Sequence, residues 1–172
     1  MPVFKVKTQV NQSKRKGIFG AKYHDDHAVK DVLDYVLKDG KTNQELVCGL
    51  SVNPYMAKAQ FEIIAKTYGK DYGIRLRHMI LSFADDELID VLNVKNIAYQ
   101  IAQYYAYDYQ ILFAVHIDGG NFHVHFVMNT VSYRSGMKYS GDKVDYYRFI
   151  GFMKDILKSY GLHLIVSSDV SA

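Results

Sequence analysis

Three of the seven histidines in this chain fall in one short segment, and their spacing could bring three imidazoles together around a metal ion. His116, His123 and His125 flank Gly119 and Gly120, a pair suited to a tight turn because glycine adopts positive φ at little cost. If the two glycines form the turn of a β-hairpin, His116 lies opposite His123 and all three histidines share one face. Three neutral imidazoles suit a divalent ion with coordination positions left open for water or substrate.

The reverse face of the same hairpin is apolar and would belong to the core. Its members are Phe113, Val115, Ile117, Phe122, Val124, Phe126 and Met128. A shift of one residue in the pairing would exchange the two faces, so this apolar face favours the stated register. Asp118 lies two residues from His116 on the histidine face and could accept a ring N–H that fixes the imidazole tautomer. The simpler alternative is that these histidines are ordinary buried or exposed imidazoles.

A tyrosine provides the second group with possible chemistry. Residues 27–38 are predicted to form a helix whose apolar stripe consists of Val29, Val32, Leu33, Val36 and Leu37. On a helical wheel Tyr35 lies about 130° from the centre of that stripe and therefore off the core face. Its phenol is either a plain surface group or a group directed at something outside the core.

The elements that would position these groups alternate between strands and helices. Strands are predicted at residues 2–10, 46–52, 75–83, 109–117, 122–132 and 162–166, with a further hairpin at 133–139. Helices are predicted at residues 27–38, 54–68, 85–105 and 144–160, the third of them opened by Asp85, Asp86 and Glu87. Antiparallel neighbours mixed with helices indicate an α+β fold, with a central, mostly antiparallel sheet and helices packed mainly on one face.

Composition narrows the class of protein. With 172 residues, 49% of them hydrophobic, the chain can bury one sizeable core, and we expect a single domain over residues 1–172. No apolar run approaches the roughly 18 residues that span a bilayer, and a signal peptide is not recognisable. The single cysteine, Cys48, excludes an internal disulfide framework and a Cys-rich zinc site. These features predict a cytoplasmic protein without membrane insertion.

Charge is concentrated at the N-terminus. Residues 1–22, a predicted strand and basic arm, contain six basic residues and no acid: Lys5, Lys7, Lys14, Arg15, Lys16 and Lys22. The remaining residues carry 15 basic and 18 acidic side chains. A basic arm on a slightly acidic body suits a polyanionic partner, although a simple solvated terminus has the same composition.

At three places the sequence resembles the HUH relaxases, the mobilisation nucleases of conjugative plasmids and integrative elements, and most closely their P-type mobilisation class. The pattern His-x-Asp-x4-His-x-His at residues 116–125, followed by Asn129, is similar to the metal motif of that family. The segment that starts at Tyr35 and ends in Lys41 and Thr42 resembles its first motif. Residues 78–83, from His78 to Phe83, resemble its His-to-Ser-Phe strand.

The resemblance implies a site- and strand-specific DNA nicking and rejoining reaction at an origin of transfer. Tyr35 would attack the scissile phosphate and form a covalent 5′-phosphotyrosine bond, leaving a free 3′-hydroxyl. His116, His123 and His125 would bind the metal ion, and Asp118 would assist in handling a proton. Members of the family commonly use Mg²⁺ or Mn²⁺, but three histidines do not by themselves exclude Zn²⁺.

The resemblance also implies contacts with single-stranded or nicked DNA. The residues expected to contact DNA are Lys14, Arg15, Lys16, Lys41, Thr42, Arg75, Arg77, Asn129, Arg134 and Lys138. Basic side chains that neutralise phosphates make binding salt-dependent without reading the sequence. An accessory DNA-binding protein and a coupling protein are the other expected partners. Relaxases commonly continue into further domains, so this chain is either a small protein or the nicking part of a larger one.

Three alternatives remain open at this stage. Tyr23, which lies close to His24 and His27, is a second possible nucleophile. A rolling-circle replication initiator or an HUH transposase would share the metal site but would use a tyrosine on a later helix, here Tyr146 or Tyr147. A non-catalytic module that binds single-stranded DNA would hold a structural ion and would not cut.

Overall fold

The computed structural model describes residues 1–7, 23–24 and 26–166, and within them the chain forms one sheet and four α-helices. The strands are β1 Val3–Lys7, β2 Val47–Leu50, β3 Leu76–Ser82, β4 Ile111–His116, β5 His123–Asn129 and β6 Ile165–Val166. The helices are α1 Asp26–Val36, α2 Ala57–Thr67, α3 Val91–Ala106 and α4 Lys143–Ser159. Short 3-10 helices occupy Gln44–Leu46 and Pro54–Met56.

The six strands are arranged in the order β2-β4-β5-β3-β1-β6. All neighbouring strands are antiparallel except β1 and β6, which run parallel to each other. The predicted α+β fold with a mostly antiparallel sheet is therefore confirmed.

Side chains from the two faces of the sheet enter two separate apolar cores. The larger core lies under α3 and α4 and contains alternate residues of the central strands, such as Phe113 and Phe126. The smaller core lies under α1 and α2. It contains the strand residues that point to the other face of the sheet, such as Leu112 and Val127. Two helices thus lie on each face, which differs from the expected packing mainly on one face. The longer pair, α3 and α4, covers the larger core, and α1 and α2 cover the face that also carries the histidines.

The predicted register of the histidine hairpin is confirmed, because His116 pairs with His123 and Ala114 pairs with His125. The two strands, however, separate earlier than a two-residue turn would require, and residues 117–122 form the connection. Ile117 N–H donates instead to the carbonyl of Lys41 at 2.8 Å, and the carbonyl of Phe122 accepts from Phe83 N–H at 2.9 Å. These hydrogen bonds to other segments end the pairing of β4 with β5, but they leave the register of the paired residues unchanged.

The third helix begins later than the start at residue 85 that was predicted from the acidic run 85–87. Asp90 is its N-cap and accepts a hydrogen bond from Asn93 N–H at 2.9 Å, so α3 starts at Val91 rather than at residue 85. Glu87 accepts from the backbone N–H of Ala84 at 2.7 Å, which holds the preceding residues in a turn.

Two predictions concern the ends of the chain and its overall organisation. The basic side chains Lys14, Arg15 and Lys16, and the predicted strand beyond Lys7, lie outside the described residues. The single domain over residues 1–172 stays a prediction. None of the helices in the described part of the chain combines the length and apolar character needed to cross a bilayer.

Candidate active site

The ends of β4 and β5 place the three predicted histidines on the same face of the sheet. His116 and His123 are directly paired across the two strands, and His125 follows on the same side of β5. The ring centroids of His116 and His125 are 4.2 Å apart with an interplanar angle of 38°. Two of the three imidazoles are therefore in direct contact, while the half-buried His123 is the first residue of β5, next to the segment that connects the two strands.

His116 is oriented by a hydrogen bond to the end of α1. Its Nε2 lies 2.8 Å from the carbonyl oxygen of Val36. Because a carbonyl can only accept, Nε2 carries the hydrogen and Nδ1 is left as the ring nitrogen with a free lone pair. Burial lowers the pKa of His116, which keeps the ring neutral near pH 7.

His125 lies deeper in the structure and is also neutral. Its pKa is lowered to about 2, mainly by burial and further by the neighbouring imidazoles of His116, His78 and His123. A neutral imidazole is the form that coordinates a metal ion, so this environment suits a ligand.

Neutral imidazoles are suitable donors for a divalent cation, but the three rings do not converge on one point in this structure. Neutral imidazoles from His116 and His125 are adjacent, and His123 is paired with His116 across the strands. Within residues 1–7, 23–24 and 26–166, no three histidine, cysteine, aspartate or glutamate side chains are already close enough to hold an ion together. The ligand role of all three histidines therefore remains a proposal.

Tyr35 lies directly beside this histidine pair. Its ring centroid is 5.6 Å from that of His116 and 5.5 Å from that of His125. The side chain is 46% exposed, as the helical wheel predicted, because the opposite side of α1 packs into the smaller core through Val32 and Val36. The phenol is thus both open to a large ligand and in contact with the two buried imidazoles.

Lys41 and Asp118 form an ion pair next to the phenol. Lys41 Nζ lies 2.5 Å from an Asp118 carboxylate oxygen and 5.3 Å from the centroid of the Tyr35 ring. The hydrogen bond between them raises the pKa of Lys41 and lowers the pKa of Asp118, so both remain charged near pH 7. The prediction that Asp118 fixes the tautomer of His116 is wrong, because the carbonyl of Val36 takes that position and Asp118 binds Lys41 instead.

A tight turn delivers Lys41 to this position. The N–H groups of Lys41 and Thr42 both point to the carbonyl of Lys38, and Gly40 has a φ of +83° that favours glycine. Thr42 is only 7% exposed, and its hydroxyl has no hydrogen-bond partner among the described residues. The burial of Thr42 is inconsistent with the direct DNA contact predicted for it.

Two other predicted DNA contacts are also inconsistent with the structure. Asn129 is 1% exposed, and its amide donates to Gln110 Oε1 at 3.0 Å and lies 3.4 Å from the carbonyl of Phe61. Arg77 donates to the hydroxyls of Tyr105 and Tyr139, which lie on the α3 and α4 side of the sheet, away from the histidines. Alternation along β3 places Arg77 on that side, and burial by α2 removes Asn129 from the surface.

The remaining basic candidates lie at the other end of the sheet. Arg75 precedes β3, whose last residue Ser82 pairs with His123, so about 20 Å of strand separates it from the histidines. Arg134 and Lys138 follow β5 at that same distant end. Arg134 stacks on the ring of Tyr107 at 3.8 Å, and Lys138 donates to the carbonyl of Ile74 at 2.9 Å. These three side chains do not line the approach to the histidines.

The alternative nucleophiles are far less favourably placed than Tyr35. Tyr23 is 5% exposed in the smaller core, and burial raises the pKa of its phenol. Tyr146 and Tyr147 belong to α4, which covers the opposite face of the sheet from His125. Neither tyrosine of α4 therefore lies beside the histidines, as the initiator or transposase alternative would require.

One side chain at the site had no predicted role. His78 on β3 is buried, and its Nε2 lies 3.0 Å from Nδ1 of His125. His78 lies two residues before Ile80 on β3, and Ile80 is the residue paired with His125. The signal available in the sequence was the alternation of β3, which places residue 78 on the same face as Ser82 and the histidines.

Known proteins match this chain in sequence over the region just described. A family model described as "Relaxase: MobA/VirD2-like, nuclease domain" matches residues 35–162, which include Tyr35 and the three histidines. Two proteins from Staphylococcus aureus, each named "Protein rlx", are 30% identical over 95 residues, or 55% of this chain. That match covers 29% and 30% of the two relatives, less than a third of their length.

A solved structure resembles the fold. It is described as "Molecular Basis of Vancomycin Resistance Transfer in Staphylococcus aureus", and it matches 76% of this chain and 77% of its own with a TM-score of 0.51. The sequence identity is 12%, so this likeness concerns the arrangement of the sheet and helices alone.

Proposed function

Since the chain belongs to the MobA/VirD2-like relaxase nuclease family, we propose that it nicks and rejoins one DNA strand at an origin of transfer, with Tyr35 as the nucleophile. The observation that carries this proposal is the contact of the Tyr35 ring with both His116 and His125 at centroid distances of 5.6 and 5.5 Å. A nucleophile beside a pair of neutral imidazoles can attack a phosphate held at the same place.

The reaction is a transesterification. The Tyr35 phenol loses its proton and its oxygen bonds to phosphorus, while the bond from phosphorus to the 3′-oxygen breaks and that oxygen gains a proton. The product is a 5′-phosphotyrosine ester with a free 3′-hydroxyl. Because one ester replaces another, rejoining by the reverse step needs no nucleotide cofactor.

His116, His123 and His125 are the residues that would hold a divalent ion. When bound, such an ion would polarise the non-bridging phosphate oxygens and offset the charge that develops on them. Mn²⁺ or Mg²⁺ is the expected ion, and Zn²⁺ is the alternative for three imidazole donors.

Lys41 adds a positive charge that belongs to the chain itself. Its ammonium group lies 5.3 Å from the centre of the Tyr35 ring and is held there by Asp118. We assign Lys41 to the attraction of the scissile phosphate toward the phenol. Asp118 then acts through Lys41, as a positioning residue, rather than by accepting a proton from His116.

Binding of the DNA strand involves the N-terminal arm in this proposal. Lys14, Arg15 and Lys16 would neutralise phosphates, which makes the affinity dependent on salt. An accessory DNA-binding protein and a coupling protein are the further partners proposed for a conjugative or mobilisation system.

The test uses a single-stranded oligonucleotide from the origin of transfer of the element that encodes the chain, incubated with the protein and Mn²⁺. We expect cleavage and a protein–DNA band that disappear with a chelator and with Tyr35→Phe. The matched control is Tyr147→Phe, since Tyr147 is also exposed but lies on α4. Binding without cleavage would indicate a non-catalytic module, and loss of the band in Tyr147→Phe would indicate the initiator or transposase arrangement.

A further inference from the structure

His78 is a third buried imidazole beside the proposed metal ligands, and it comes from a different strand. It lies on β3 with 6% of its surface exposed, and its ring is stacked on that of His125 with 5.2 Å between centroids. Its Nε2 is 3.0 Å from Nδ1 of His125, within hydrogen-bond distance. The spacing of the two nitrogens leaves room for one hydrogen between them.

The side on which that hydrogen resides decides what His125 can do. If His78 donated, Nδ1 of His125 would be the acceptor, and neutral His125 would carry its own hydrogen on Nε2. Both nitrogens of His125 would then be occupied, and neither could bind a metal ion. If His125 donates from Nδ1, its Nε2 keeps a free lone pair directed away from His78.

We propose that His78 is a positioning residue that accepts the Nδ1–H of His125 and thereby presents Nε2 of His125 to the metal ion. This inference rests on the proposed function, because it concerns the ligand geometry of the same site. His78 contributes no direct ligand in this arrangement. Hydrogen-bonded partners of this kind fix both the tautomer and the ring orientation of metal-binding histidines.

The neighbouring imidazole is already held in the corresponding way. His116 donates to the carbonyl of Val36 at 2.8 Å, and a carbonyl cannot donate in return. A carbonyl oxygen always accepts, whereas His78 can accept at Nε2 only in the tautomer that carries its hydrogen on Nδ1. The pair His78–His125 therefore specifies two tautomers at once, a condition that a merely space-filling histidine would not have to meet.

The tautomer of His125 can be measured without metal or DNA. We would record long-range ¹H–¹⁵N spectra of the metal-free protein with ¹⁵N-labelled histidine at pH 7.5, and identify His125 with a His125→Gln variant. The expected spectrum has a protonated Nδ1 and an unprotonated Nε2 for His125. A protonated Nε2 on His125 in the wild-type protein would overturn the proposal, whatever the variants do.

Two substitutions of His78 then separate positioning from packing. His78→Gln keeps an acceptor near the position of Nε2, whereas His78→Leu fills the space without one. By calorimetric titration with Mn²⁺ we expect His78→Leu to weaken binding about 10- to 100-fold, and His78→Gln to remain close to wild type. His163→Leu, at an exposed histidine, is the control.

Equal Mn²⁺ affinity in wild type and in a folded His78→Leu protein would overturn the proposal. If His78→Leu fails to fold, a normal affinity in His78→Gln together with the expected wild-type tautomer supports it, and a large loss in His78→Gln contradicts it. The expected tautomer and Mn²⁺ binding without any Tyr35 adduct would instead refute the proposed reaction and leave the role of His78 intact.

Discussion

His116 donates its Nε2–H to the carbonyl oxygen of Val36 across 2.8 Å, and Val36 directly follows Tyr35 in the chain. One hydrogen bond therefore joins the end of the helix that carries the phenol to the strand that carries a proposed metal ligand. The distance between the Tyr35 and His116 rings is set by this contact together with the packing of α1. Such pre-arrangement is what a reaction between a bound phosphate and a fixed nucleophile requires.

The ion pair of Lys41 and Asp118 leads to a prediction about rate. Lys41→Met should slow formation of the covalent adduct by roughly 100-fold, the scale of one lost electrostatic contact to developing charge. Asp118→Asn should cost less, because the lysine charge remains although it is held less firmly. The measurement is the single-turnover rate of adduct formation at saturating DNA.

Lys30→Met serves as the control for this prediction, because Lys30 also pairs with an aspartate on α1 but lies away from the phenol. In the double variant, Asp118→Asn should have little further effect once Lys41 is absent. A full additional loss from Asp118→Asn in the Lys41→Met protein would show that Asp118 acts directly on the reaction.

The buried histidines predict how stability depends on pH. Burial lowers the pKa of His125 to about 2, below its ordinary value of 6.5, so the folded state holds the neutral ring while the unfolded chain is protonated below pH 6.5. The stabilisation from neutral His125 is present above about pH 6.5 and is lost as the pH falls. One such proton changes the free energy of unfolding by up to about 1.4 kcal/mol per pH unit.

Urea denaturation of the metal-free protein at pH 7.5 and pH 5.5 measures this dependence. His125→Gln should reduce the slope by about one proton, whereas His163→Gln, at an exposed position, should leave it unchanged. A slope that is the same in wild type and His125→Gln would contradict the assignment of a buried, neutral His125.

Asn129 is predicted to stabilise the fold rather than to contact DNA. Its side chain donates to Gln110 and accepts from Val131 N–H at 3.1 Å, in a buried position. Asn129→Ala leaves these groups without partners and should lower the free energy of unfolding by about 2–3 kcal/mol. Urea denaturation is the measurement, with the exposed Asn96→Ala as control. An unchanged stability with weaker DNA binding would restore the original prediction.

The N-terminal arm is predicted to control the salt dependence of DNA binding. Replacing Lys14, Arg15 and Lys16 by alanine should reduce the slope of log affinity against log salt by about 2 for single-stranded DNA. Fluorescence anisotropy over a salt series measures the slope. Alanine at Lys154 and Lys158, two exposed lysines of α4, is the matched control. An equal change in the control would assign the effect to overall charge.

The arrangement of the histidines could be predicted because it depends on local alternation. Phe113 and Phe126 on one face and His116 and His125 on the other determine the register, and it is unchanged although the connection has six residues instead of the predicted two. The exposure of Tyr35 likewise followed from the spacing of apolar residues on a single helix.

Contacts between distant segments could not be predicted in this way. The partner of Asp118 is Lys41, and the partner of His116 is the carbonyl of Val36, because the end of α1 and the following turn pack against the end of β4. Asn129 was correctly placed on the histidine face of the sheet, but its burial results from α2, which packs over that part of the face. No local pattern encodes how closely two elements approach each other.

The most direct test of the central claim is to map the covalent bond itself. The adduct formed with a nick-site oligonucleotide and Mn²⁺ is digested with protease and nuclease, and the modified peptide is sequenced by mass spectrometry. We predict a nucleotide linked through phosphate to the Tyr35 oxygen, absent in Tyr35→Phe and in the presence of a chelator. Linkage to Tyr23, Tyr146 or Tyr147, or an adduct that persists in Tyr35→Phe, would contradict the account.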